Sequence, residues 1–131
     1  MKAFVITIIA SSLLSLGLAN PVNVTERASG GVYVCPGPNW SPTNLCQDVQ
    51  MTDGGCWTIP WQTLGSIGPD PGWVCSMFVE PGNCFASSGN LNSGGIWTPG
   101  VADLTTWNDG VSGKWNGYWF TQARTIQCVL G

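Results

Sequence analysis

Gly31-Val32-Tyr33-Val34-Cys35-Pro36-Gly37-Pro38-Asn39-Trp40 reads as a short strand that runs straight into a tight turn. β-Branched and aromatic residues favour extended backbone, and the Pro-Gly-Pro-Asn run stops it. The same grammar returns at Phe78-Val79-Glu80-Pro81-Gly82-Asn83-Cys84. Gly54-Gly55-Cys56-Trp57-Thr58 is answered by Gly94-Gly95-Ile96-Trp97-Thr98, and Thr63-Leu64-Gly65-Ser66-Ile67 by Gln122-Ala123-Arg124-Thr125-Ile126. Two units of about 45 residues, each too small to bury a core alone, imply a duplicated four-stranded motif. Trp57 and Trp97, at matching places in the repeat, are expected in the core.

Outward from this repeat, Gly and Pro punctuate the chain every few residues. Candidate strands are 31–35, 45–51, 56–59, 74–79, 96–98, 118–121 and 124–130. The segment 101–107 comes nearest to helical periodicity, with room for a turn or two. Short strands with frequent turns predict an all-β sandwich or barrel. Asn116-Gly117 sits between Lys114-Trp115 and Tyr118-Trp119 and carries the sequence signal of a type I′ hairpin.

The N-terminus has the features of an export signal over residues 1–19. Lys2 gives the positive start, an apolar stretch runs from Phe4 to Leu18, and Gly17 and Ala19 supply small residues for cleavage. The stretch is short for a membrane span. Residues 20–30 have no apolar periodicity and read as a pro-segment or disordered lead-in, leaving 31–131 as the folded domain. All six cysteines fall there: Cys35, Cys46, Cys56, Cys75, Cys84 and Cys128. An even count behind an export signal implies disulfides in a secreted, extracellular protein, although the spacing leaves the pairing open.

Charge is scarce. From Ala28 onward two cations, Lys114 and Arg124, face six carboxylates, for a net charge of −4. Such a surface cannot neutralise phosphates, so nucleic acid is not an expected partner. The same balance opposes attraction to anionic lipid, and no stable membrane anchor is expected in the mature chain.

The ordered strands and turns resemble the βγ-crystallin family, and more closely the small secreted crystallin-like proteins of fungi. The resemblance rests on Val32-Tyr33-Val34 leading into Pro36-Gly37-Pro38-Asn39-Trp40, with Leu64-Gly65-Ser66-Ile67 closing the first motif. Cys75-Ser76-Met77-Phe78 opens the second, and Arg124-Thr125-Ile126-Gln127-Cys128 closes it. It covers residues 31–131. It departs from the family at Pro36-Gly37-Pro38, where a Gly-containing corner is usual, and at 108–121, which looks like an inserted hairpin. The resemblance implies two Greek-key motifs forming a disulfide-stapled crystallin-like sandwich. It also implies a calcium loop at Asn108-Asp109-Gly110-Val111-Ser112, with Asn108, Asp109 and Ser112 as ligands; no other cofactor is expected.

Eight tryptophans stand out in so small a chain. Trp107, Trp115, Tyr118 and Trp119 crowd around the expected hairpin and are the candidate ligand or partner surface, suited to stacking on sugars or docking into a partner. Asn23-Val24-Thr25 and Asn39-Trp40-Ser41 are glycosylation sequons. The chain has no histidine. That removes Ser–His–Asp and Cys–His chemistry and leaves only a carboxylate pair for hydrolysis. Most carboxylates sit beside Gly or Pro in turn-like contexts. The expectation is therefore a monomeric secreted interaction protein, effector-like or killer-toxin-like, that binds a cell-surface glycan or a host or competitor protein and is not an enzyme. A carbohydrate-binding module is the first alternative and a small glycan hydrolase the second.

Overall fold

The computed structural model describes residues 30–131. The expected signal peptide, nearly all of the lead-in and the Asn23 sequon lie outside the described residues. Gly30 already belongs to the packed structure: it is buried, and its carbonyl accepts a hydrogen bond from Met51 N.

The expected all-β character holds, with one short helix added. The strands are β1 (Gly31–Cys35), β2 (Gln47–Gln50), β3 (Gly55–Thr58), β4 (Ser66–Pro69), β5 (Trp73–Phe78) and β6 (Thr125–Leu130). They form two antiparallel three-stranded sheets, ordered β2-β1-β4 and β3-β6-β5. Isolated bridges add a fourth member to each. Val101 pairs with Ile67 on β4, and Asn92 and Ile96 pair with Phe78 and Cys75 on β5.

Period-two alternation decides which side chains go inward. On β1, Val32 and Val34 are buried and Tyr33 faces out; on β5, Trp73, Cys75 and Met77 are buried. Ile67 of β4 and Ile126 of β6 join them, and Leu64, Leu104, Trp119 and Ala123 complete the core. No free cysteine remains among the described residues. Cys35 pairs with Cys46, closing the β1–β2 connection, and Cys75 pairs with Cys128 across β5 and β6. Cys56 on β3 pairs with Cys84 in the loop after β5.

Two hydroxyls at the start of the two closing strands do parallel work. Ser66 Oγ donates to Gly37 O at 2.7 Å and accepts from Trp40 N at 2.9 Å, fixing the turn after β1. Thr125 Oγ1 lies 3.0 Å from Glu80 O and 3.1 Å from Asn83 O, fixing the turn after β5. The Ser66–Thr125 equivalence matches the sequence repeat.

The Gly-Gly-x-Trp-Thr echo does not match. Cys56 and Trp57 lie on β3 beside β6, whereas Ile96 bridges β5. Trp57 packs partly against the core, but Trp97 is 62% exposed and is not a core residue. The inserted hairpin is also corrected. Residues 118–122 form helix α1 (Tyr118–Gln122) instead of a strand. Gly117 has the positive φ of 84° that the turn signal demanded, but it opens a helix. A Cβ there would stand 2.2 Å from Thr105 O, so close approach to the 105 backbone, and not hairpin geometry, selects glycine. The 101–107 segment forms a bridge and turns and no helix.

Candidate interaction surface

The 108–117 loop is built around one carboxylate. Asp109 Oδ1 accepts from the amides of Val111 at 2.8 Å and Ser112 at 2.9 Å, and Oδ2 accepts from Trp119 Nε1 at 2.7 Å. Asn108 closes the loop from the other side: its Oδ1 accepts from Gly110 N, and its Nδ2 donates to Lys114 O at 2.9 Å and Asn116 Oδ1 at 3.1 Å. Partial burial works to raise the Asp109 pKa, but hydrogen bonds from Ser112, Val111 and Trp119 outweigh it, and the carboxyl titrates below its ordinary value.

Asn108, Asp109 and Ser112, the expected calcium ligands, are thus together in one turn. Both Asp109 oxygens accept hydrogen bonds from donors of the protein itself, as does Asn108 Oδ1 from Gly110 N, so the turn is held by its own contacts. Among the described residues no cluster of three acidic or cysteine side chains gathers as a metal site.

The four candidate surface aromatics divide. Trp119 is only 1% exposed and belongs to the core, with its indole N–H on Asp109. A core position for this ring is natural on a five-residue helix that buries Trp119 and leaves its other residues wetter. Trp107 and Tyr118 are half-buried against the core. Trp115 is the outward member, 63% exposed. Trp115, Tyr118 and Trp119 stack edge to face in series: Trp115 to Tyr118 with centroids 4.8 Å apart, and Tyr118 to Trp119 at 5.2 Å. Lys114 Nζ sits 5.5 Å from the Tyr118 centroid, within cation–π range. The exposed Trp115 indole is therefore linked through the Tyr118 ring to Trp119 in the core.

Compared with known protein families, curated proteins and solved structures, the chain has no match.

Outside the expected cluster, and besides Tyr33 on β1, two aromatics are mostly in water. Trp97 is one. Phe85 is the other, 80% exposed on the loop after β5. That loop is firmly held: fully buried Asn90 donates through Nδ2 to Asn83 O and Phe85 O, both at 2.9 Å, and Cys84 is disulfide-bonded. The lone aromatic between Cys84 and the small run Ala86-Ser87-Ser88-Gly89 was the sequence signal for this exposure.

Asn39 lies exposed at its turn with φ 58°, and the sequon hydroxyl of Ser41 donates to Pro38 O at 2.6 Å. The carboxylates mostly serve the fold. Asp53 accepts from Leu130 N, Asp70 from Gly31 N, Glu80 from Asn83 Nδ2, and Asp103 from Thr105 N and Oγ1.

Proposed function

We propose that the chain is an exported, disulfide-bonded binding module of two crystallin-like Greek-key motifs. It acts by contact with a partner protein on another cell, as an effector or toxin does, rather than by catalysis. Export is supported by three disulfides in so short a chain, which suit an oxidising compartment. The Greek-key reading draws on the pairings. In the first half the opening strand lies between the second and the last, as β2-β1-β4; in the second half the 92–96 segment, β5 and β6 stand in the same order. The remaining segment of each half crosses to the other sheet: β3 lies beside β6, and Val101 beside β4. Two Greek keys that exchange their third strands would give this pattern, and the parallel roles of Ser66 and Thr125 add to it.

The observation that carries the binding role is Trp115, an indole mostly in water on a loop that has no slack. Aromatic anchors dominate interface energetics, and one that is already ordered loses little entropy on docking. The carboxylates, engaged in turns and strand ends, favour binding over hydrolysis.

The test uses labelled mature protein and a panel of intact cells, before and after protease shaving. Wild-type protein binds saturably to a responsive cell, and shaving removes the binding. Trp115→Ala lowers the affinity at least about tenfold with an unchanged melting temperature. Failure to bind any cell, or binding that survives both shaving and Trp115→Ala, overturns the proposal.

A further inference from the structure

The second sheet carries another exposed aromatic, mounted in a different way. Because Trp73, Cys75 and Met77 of β5 point into the core, Val74 and Ser76 face outward. β6 places Val129 opposite Val74 and Gln127 opposite Ser76. On the other side, the antiparallel Cys75–Ile96 bridge sets Trp97 beside Val74 and Gly95 beside Ser76. The outer face therefore carries a row of Trp97, Val74 and Val129 next to a row of Gly95, Ser76 and Gln127.

Gly95 is what seats the indole. A Cβ at this position would lie 2.9 Å from Trp97 Cη2, 3.1 Å from Cζ3 and 2.8 Å from Val74 Cγ1. The six-membered ring occupies that space, covering bare backbone, while 62% of the residue stays in water.

We propose that this face binds an uncharged, β-linked pyranose chain. None of its side chains ionises, and the net charge of −4 from Ala28 onward repels polyanions such as nucleic acids and acidic polysaccharides. A pyranose with equatorial hydroxyls presents axial C–H groups on its flat faces. Their weak positive charge complements the negative face of an indole. The hydroxyls project sideways, where the Ser76 hydroxyl and the Gln127 carbonyl lie one row from the ring. The Gln127 amide N–H is already held by Gly54 O at 3.2 Å, which orients that carbonyl. An extended β-linked chain keeps successive rings flat along such a strip; an α-linked chain curls away from it.

This site is separate from Trp115 and does not depend on the protein-partner reading. Calorimetric titration of the mature protein uses cellohexaose, maltohexaose as the α-linked comparison and polygalacturonate as the charged one. Cellohexaose binds saturably, and the other two bind at least about tenfold more weakly. Trp97→Ala lowers cellohexaose affinity at least about tenfold. Gly95→Ala, which keeps the indole but takes its seat, also weakens binding, and Trp115→Ala binds as wild type does. Thermal melting of each variant checks the fold, and the exposed position of Trp97 keeps Trp97→Ala decisive if Gly95→Ala is unstable. No saturable cellohexaose binding, equal binding of maltohexaose, or full affinity in Trp97→Ala overturns the proposal. A loss confined to Trp115→Ala overturns it as well, by moving the glycan to the other cluster.

Discussion

Ser66 is fully buried, yet its side chain is polar, and the reason is Trp40. The turn after β1 gives both Asn39 and Trp40 a φ of 58°, which non-glycine residues adopt reluctantly. The Ser66 hydroxyl takes the Trp40 N–H and donates to Gly37 O, so the strained turn is held from the strand beside it. Ser66→Ala leaves that amide without its partner and should cost about 1–3 kcal/mol in urea unfolding. Asp109 is the other residue on which much depends. Its carboxyl has a lowered pKa in the folded protein, so it contributes stability that is fully present above the ordinary carboxylate range. That contribution fades as pH falls from about 4 through the lowered folded value. Trp119 reports it: acid titration should shift its emission as the indole's acceptor loses its charge, and Asp109→Asn should flatten the acid limb. Calcium should not substitute for these contacts, and millimolar calcium should leave the melting temperature unchanged.

At the scale of elements, Gly117 decides whether the chain turns back as a hairpin or winds into α1. Gly117→Ala puts a methyl group against Thr105 O at a φ of 84° and should cost well over about 1 kcal/mol, read as a lower melting temperature. This position also marks the limit of what the chain's own letters disclose. β1 was legible to the residue, because Val32 and Val34 alternate with Tyr33 and Pro36 ends the run. β5 and β6 were legible within a residue, for the same reason. Asn116-Gly117 announced a turn correctly. The helix beyond that turn was not local information: Tyr118, Trp119 and Phe120 have strand propensity, and only the fit of Trp119 into the core and onto Asp109 makes them helical. The Trp97 seat was hidden for a similar reason. The repeat put Trp97 level with Trp57, but the two lie at opposite edges of one sheet, and their registers, invisible in the sequence, turn one ring toward the core and leave the other outside. Trp115 could be anticipated from its polar, turn-rich surroundings, whereas Trp119, four residues on, could not be told apart from it.

For the whole molecule, the Cys56–Cys84 bond differs from the other two because it joins the first half of the chain to the second. It closes 28 residues of sequence. Replacing both cysteines with alanine should cost about 3–4 kcal/mol by the chain-entropy account. Chemical unfolding under non-reducing conditions measures it, and a loss near zero would mean that the β3–β6 pairing and the shared core alone hold the halves together. The arrangement has a practical corollary for survival among proteases. The connection at Asp70, Pro71 and Gly72 is surface-accessible, and a single cut there would separate the polypeptide on paper only. β3 of the first fragment would still pair with β6 of the second, Val101 would still bridge β4, and the 56–84 bridge would keep the two covalently tethered. A nicked molecule should migrate as one species until a reductant is added, with Trp97 and Trp115 both on the C-terminal fragment.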